Sequence, residues 1–92
     1  MGMLEKITIV KQEKTCKRHP DRWDLWTDDN RYICAEYEYG ILMVDLADNK
    51  EKMLEYKDFI MLMRRPIGDF YDPEMTLEEL KEYTKDAFIW KC

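Results

Sequence analysis

The sequence contains no serine, a single histidine and only three glycines. The absence of serine excludes a serine nucleophile, and three scattered glycines cannot build a glycine-rich phosphate-binding loop. The histidine, His19, is flanked by cations and a proline and has no carboxylate beside it in the sequence. This setting favours a solvated loop over general acid–base catalysis. The sequence therefore predicts a protein that is not an enzyme.

Long apolar runs are also missing. No segment approaches the roughly 18 to 20 apolar residues that a membrane-spanning helix requires. The first residues lack the charged start, apolar middle and small-residue cleavage site of a secretory signal. The three cysteines, an odd number, fit reduced thiols in a cytosol. We therefore expect a cytoplasmic protein that does not bind membranes.

The chain of 92 residues has room for one domain, which we expect to cover residues 1–92. Leucine, isoleucine, valine and phenylalanine together make only 20 of these residues. Seven methionines, six tyrosines and three tryptophans supply the remaining large apolar side chains. The composition thus predicts a small core that is rich in aromatic residues and methionine.

The net charge of −5 is unevenly distributed along the chain. Residues 1–22 carry six cations and three acids (+3), residues 23–49 one cation and seven acids (−6), and residues 50–92 eight cations and ten acids (−2). An acidic protein is not drawn to nucleic acid by counterion release, so direct binding of nucleic acid is not expected. The acidic middle segment favours a basic protein partner instead.

The clearest structural pattern lies between residues 23 and 46, which we interpret as a three-stranded meander. Tyr39-Gly40 can form a two-residue hairpin turn, and Asn30 suits the left-handed position of a three-residue loop over residues 28–30. These two turns independently specify one register, and that register collects the apolar side chains on one face. The residues of this apolar face are Trp23, Leu25, Ile33, Ala35, Tyr37, Leu42, Val44 and Leu46.

Before the meander, residues 4–12 alternate between apolar and polar side chains, which predicts a strand. Residues 13–22 show no apolar periodicity, and we expect a polar loop. The first strand can lie at an edge of the sheet, with Lys6 and Lys11 as protection against edge pairing. Monomer and homodimer therefore both remain open.

After the meander, Asp48 is the expected N-cap of a first helix. Residues 58–63 are apolar on all sides, so they fit either the end of this helix or a short central strand. Thr76 and Glu79 form a capping box that predicts a second helix over residues 77–90. The expected fold is α+β: a small, mostly antiparallel sheet of about four strands, with two helices packed on one face.

The second face of the meander carries a row of acids beside aromatic side chains and a methionine. The usual interpretation of such a row is a solvated sheet face. The alternative is a partner-binding surface, since aromatic residues and methionine are typical of interface centres. The candidate partner-binding residues are Asp24, Trp26, Tyr32, Glu36, Glu38, Met43 and Asp45.

These residues lead to a functional hypothesis. We expect a non-enzymatic interaction protein that binds a larger, basic partner through the acidic face. Spaced carboxylates can imitate a phosphate backbone, so the partner can be a protein that handles nucleic acid. By analogy, an inhibitor or accessory factor of a phage or another mobile element would suit such a small acidic domain.

An alternative hypothesis is a small metal-binding module. Cys16 and His19 have the types and spacing of zinc ligands, and Cys34 is a third candidate. The signal is weak because Cys34 has no second ligand close to it, whereas structural zinc sites usually combine two close pairs. We therefore expect neither a bound metal nor a cofactor.

Overall fold

A computed structural model describes residues 6–16, 21–55, 58–68 and 75–92. Within these residues the chain forms six strands and two short helices. In chain order the elements are β1 (Ile7–Cys16), β2 (Asp21–Thr27), β3 (Tyr32–Glu38), β4 (Ile41–Ala47), α1 (Lys50–Leu54), β5 (Ile60–Pro66), α2 (Leu77–Thr84) and β6 (Phe88–Trp90).

All six strands belong to one sheet, in the order β5-β4-β3-β2-β1-β6. Neighbouring strands are antiparallel, except that β1 and β6 run parallel. The sheet curls into a half-barrel. Its inner face carries the main core together with α2, whereas α1 packs on the outer face. The expected sheet of about four mostly antiparallel strands, with two helices on one face, is therefore wrong.

The register predicted for the meander is confirmed. Ala35 lies opposite Trp23 on one side and Val44 on the other, and Ile33 lies between Leu25 and Leu46. All eight residues of the predicted apolar face are buried, and they form most of the main core. Because side chains alternate along a strand, this register also determines which residues lie on the outer face.

Both turns of the meander have the expected backbone. Asn30 has φ 66°, and the Thr27 amide donates a hydrogen bond of 3.0 Å to the carbonyl of Arg31 across the loop. Tyr39 and Gly40 have φ 53° and 77°. Positive φ at both central residues is the mark of a type I′ turn, whose twist matches that of the flanking strands. The short turns thus fix the pairing of β2, β3 and β4.

The first strand is longer than expected. β1 continues to Cys16 and β2 begins at Asp21, so a polar loop over residues 13–22 is wrong for most of that segment. Lys14 explains why the sequence hides the strand. It pairs with Trp23, its ammonium lies 5.3 Å from the centre of the Trp23 ring, and it reaches the buried Asp21 at 3.1 Å. A cation that covers the rim of the core interrupts the apolar alternation.

Helix α1 is short, and the segment after it is a strand. The N-cap is Asn49 and not Asp48, since the Asn49 side chain accepts a hydrogen bond of 2.9 Å from the Lys52 amide. Of the two possibilities for residues 58–63, the strand is correct from Ile60 onwards. In the described part of the sheet, however, β5 is an edge strand and not a central one.

The second helix begins as predicted but ends early. Its capping box is present, with Thr76 and Glu79 exchanging hydrogen bonds of 3.0 and 3.1 Å. The helix stops at Thr84, and residues 88–90, expected to be helical, form β6 beside β1. This pairing buries Phe88 and gives the strand backbone partners at both ends, so a helix up to residue 90 is wrong. No helix in the described residues is long and apolar enough to cross a membrane.

Candidate functional site

The seven candidate partner-binding residues lie on the outer face of β2, β3 and β4. Cross-strand neighbours on this face include Asp24 with Cys34, Cys34 with Asp45, and Glu36 with Met43. The predicted carboxylates therefore share one face of the sheet, with Cys34 between Asp24 and Asp45. The face is less acidic than the sequence suggests, because some of these carboxylates are buried and others are paired with cations.

Asp24 is internal. Only 2% of this residue is exposed. Its carboxylate accepts a hydrogen bond from the Tyr32 hydroxyl and one of 2.7 Å from the ammonium of Lys50, the first residue of α1. Tyr32 is equally buried, so neither side chain can form a large part of a docking surface. Burial of an unpaired carboxylate is costly, and these two donors compensate for it.

Helix α1 covers one end of the outer face. Met53 packs on Tyr32 and Ala47 and forms a second, small apolar cluster with them. Trp26 lies at the margin of this cluster and contacts the Tyr32 ring edge-on, at 5.9 Å between ring centres. The ammonium of Lys11 lies 4.7 Å from the centre of the Trp26 ring. Trp26 is thus half-buried and partly covered.

Two further carboxylates of the outer face, Glu36 and Asp45, are paired with arginines. Glu36 lies 3.1 Å from Arg22 of β2, and Asp45 lies 2.8 Å from Arg64 of β5. These cations come from the strands on either side of the meander. They reduce the negative charge that the sequence of the meander alone suggests. Glu38, by contrast, has no cation within ion-pair distance among the residues that the structure describes.

Two adjoining clefts lie between α1 and the sheet, with volumes of about 320 and 110 Å³. Arg22, Tyr32 and Leu54 line both of them. The Arg22 Nε atom and the Asp45 Oδ1 atom are buried and have no aligned hydrogen bond within the described residues; the Arg64–Asp45 contact is an ion pair by distance only. Such polar atoms at the wall of a cleft are suitable partners for ordered water.

Two side chains of these clefts, Cys34 and Tyr32, are poorly suited to act as nucleophiles or bases. Burial raises the pKa of the Cys34 thiol, which opposes formation of the reactive thiolate. Burial and then the hydrogen bond to Asp24 raise the pKa of Tyr32 above its ordinary range. Both side chains are therefore protonated at neutral pH. Their chemistry is limited to packing and hydrogen bonding.

The metal-binding alternative falls largely on residues that are not described. His19 and the side chain of Cys16 lie outside the described residues, so a site with Cys34 has no geometry to examine. Among the side chains that are described, no three histidine, cysteine, aspartate or glutamate residues are grouped closely enough to hold a metal ion.

The end of the outer face near the Tyr39-Gly40 turn is not covered by α1. We call this surface the open end and define it by Glu36, Glu38, Ile41 and Met43. Each of these residues is at least partly exposed, and Ile41 is 40% exposed. Asp45 lies between the open end and α1 and is partly exposed as well.

The sequence prediction missed the cations of this face. Arg22, Lys50 and Arg64 all contact a carboxylate of the row. For Arg22 a signal was present: it precedes Asp24 by two residues, so an earlier start of β2 places it on the outer face opposite Glu36. Arg64 can be placed on the outer face by the same reasoning once residues 60–66 are assigned to a strand.

Comparisons with known proteins add no functional information. No family model, no curated protein and no solved structure matches this chain.

Proposed function

We propose that this chain is a non-enzymatic interaction protein that binds a larger protein through the open end of its outer face. The observation that carries this proposal is the asymmetry of that face. Helix α1, which begins with Lys50, covers the half of the face around Asp24 and Tyr32. The half around Glu38 and Ile41 stays accessible. The open end combines apolar and acidic side chains, as the centre and rim of protein interfaces do.

The expected partner presents basic side chains next to apolar ones. Glu38 is the carboxylate of the open end that lacks a cation in the described part of the chain, so a lysine or arginine of a partner can pair with it. Ile41 and Met43 lie beside it and supply the apolar contact. Of the candidate residues named from the sequence, Glu36, Glu38 and Met43 belong to this smaller surface, and Asp45 lies at its border with α1.

The proposal is tested with two matched double variants. The first, Glu38→Lys with Ile41→Ala, reverses one charge and truncates one exposed isoleucine at the open end. The control, Glu78→Lys with Ile89→Ala, makes the same two changes on α2 and β6, where Ile89 is 42% exposed and Ile41 is 40% exposed. Glu36 is left unchanged because its removal would also free Arg22.

Binding is measured first by affinity capture from source cells and then with the purified partner by calorimetry. We expect wild type and the control variant to retain the same protein, and the open-end variant to lose it. With the purified partner, we expect the open-end variant to bind at least roughly tenfold more weakly, the scale of one interface hot spot. Equal loss in both variants, or in neither, would contradict the proposed surface.

A further inference from the structure

Strand β5 presents an unusual edge. It has seven residues, and β4 is its one neighbour among the strands that the structure describes. Its outward edge therefore carries backbone N–H and C=O groups that can pair with another strand. Ile60 and Met61 are 60% and 65% exposed, more than most large apolar residues of the described chain. This edge is both long and apolar.

The other edge of the sheet differs. β6 has only three residues, which is one way in which natural proteins limit edge pairing. In β5 the residues from 60 to 63 are all apolar, and its charges, Arg64 and Arg65, lie at the C-terminal end alone. No charged side chain interrupts the first four residues of the strand. Strand β1, which the sequence suggested as a possible edge, is flanked by β2 and β6.

The charges around β5 are complementary to those of a second, antiparallel copy. Asp58 precedes the strand, and Arg65 lies near its end; both are exposed. A twofold axis brings Asp58 of each copy to Arg65 of the other, because an isologous contact repeats every pair twice. Two ion pairs then flank an apolar centre.

The same register places the flanking side chains on matching faces; the exception is the centre, where Met61 lies opposite Leu62 at the bulge in β5. With Asp58 opposite Arg65, Ile60 lies opposite Met63, and Phe59 lies opposite Arg64. Ile60 and Met63 pair with Leu46 and Val44 of the inner face. Phe59 packs in the outer cluster, and Arg64 pairs with the outer-face Met43.

Directly opposite residues of antiparallel strands lie on one face, and this register meets that requirement on both sides of the bulge. We propose that two copies of this chain associate through antiparallel pairing of their β5 edges and form one continuous sheet. Other orientations lose this match. A parallel pair brings the arginines of both copies together, and like charges side by side are unfavourable. The dimer contact is separate from the open end, so it does not depend on the proposed function.

The proposal is tested by sedimentation equilibrium of the whole chain over a wide concentration range. We expect wild type to form a reversible dimer. Met61→Lys places a charge at the apolar centre and should weaken the dimer by roughly tenfold or more. The control Ile89→Lys places the same charge on the β6 edge and should leave the dimer unchanged. Circular dichroism verifies that both variants keep the sheet.

Asp58→Asn tests the register. Asp58 has φ 49°, a conformation that asparagine also adopts readily, so the fold is preserved. Loss of two exposed ion pairs should weaken the dimer roughly threefold to tenfold at low salt, and this difference should vanish at high salt. A wild-type chain that stays monomeric at every concentration would overturn the proposal. A dimer that Ile89→Lys disrupts but Met61→Lys does not would also overturn it.

Discussion

At the scale of single residues, the least expected feature is the buried carboxylate of Asp24. It lies in the middle of a row of acids and looks like a surface residue in the sequence. Its two donors come from different places, Tyr32 from the adjacent strand and Lys50 from α1. The polar pair therefore connects the helix to the sheet. Loss of either donor leaves part of a buried charge uncompensated.

Tyr32→Phe measures this contribution. The substitution keeps the ring and removes the hydroxyl that donates to Asp24. We expect the free energy of unfolding in urea to fall by about 1–3 kcal/mol, the cost of an unsatisfied buried acceptor. Tyr83→Phe, a half-buried residue of α2, serves as the control and should change stability by less than about 0.5 kcal/mol. Equal effects would show that the hydroxyl of Tyr32 has no special role.

The difference in unfolding free energy between wild type and Tyr32→Phe should also depend on pH. The pKa of Tyr32 is raised in the folded state, chiefly by burial. The unfolded chain therefore loses this proton first, above pH of about 10, and the stability contribution present below that pH is lost as the pH rises. The phenylalanine variant lacks the group. We thus expect the stability difference between wild type and Tyr32→Phe to shrink above pH of about 10, by up to about 1.4 kcal/mol per pH unit.

At the scale of elements, β6 is the shortest of the described strands, and contacts with distant parts of the chain hold it in place. It has three residues, and only Phe88 is buried. The indole N–H of Trp90 donates to the Thr84 hydroxyl at 3.0 Å and so ties the strand to α2. Backbone bonds hold both ends, from the Ile7 amide to Ala87 and from the Lys91 amide to Ile9.

Phe88→Ala should release this strand. We expect a loss of about 3–5 kcal/mol in unfolding free energy, as for other buried phenylalanines. Hydrogen exchange should show that the Ile7 and Lys91 amides lose protection before the meander does. Ile89→Ala, on the exposed side of the same strand, should cost less than about 1 kcal/mol. If protection is lost uniformly over the whole sheet, β6 is an integral part of one cooperative unit.

The same scale shows what the sequence can predict. The meander was predictable because its register depends on local signals: Asn30 and the Tyr39-Gly40 turn each specify the same apolar face. The segments 58–63 and 88–90 were not predictable. Their side chains fit a helix and a strand equally well, and pairing with distant strands decides between the two. The start of α2 was predictable from its capping box, whereas the point at which the helix ends before β6 was not.

At the scale of the whole molecule, strand order decides the character of the candidate site. The meander alone shows a face of acids, and the sequence predicted that much. The arginines that pair with Glu36 and Asp45 come from an unexpected early start of β2 and from β5. Charge counted along the chain is therefore a poor guide to charge on a surface. Among the described carboxylates on the outer face of β2, β3 and β4, Glu38 at the open end keeps the unpaired acidic character that the sequence suggests.

The two proposed contacts use different parts of this sheet, which makes them separable. An added strand at β5 extends the sheet sideways, whereas a partner at the open end covers the outer face of β3 and β4. We expect the Met61→Lys variant to be monomeric and to bind the partner with unchanged affinity per chain. Glu38→Lys with Ile41→Ala should remain dimeric and fail to bind. Effects of distant, independent sites are usually additive, so the combined variant should show both defects and no more.

Light scattering of the mixtures, together with calorimetry, distinguishes the outcomes. Wild type should form complexes with two copies of each protein, and Met61→Lys should form complexes with one of each. If Met61→Lys weakens partner binding as strongly as it weakens the dimer, the partner bridges both copies and the open end of a single chain is not a complete site. If the affinity per chain is unchanged, each copy binds on its own, and dimerisation serves to present two open ends on one continuous sheet.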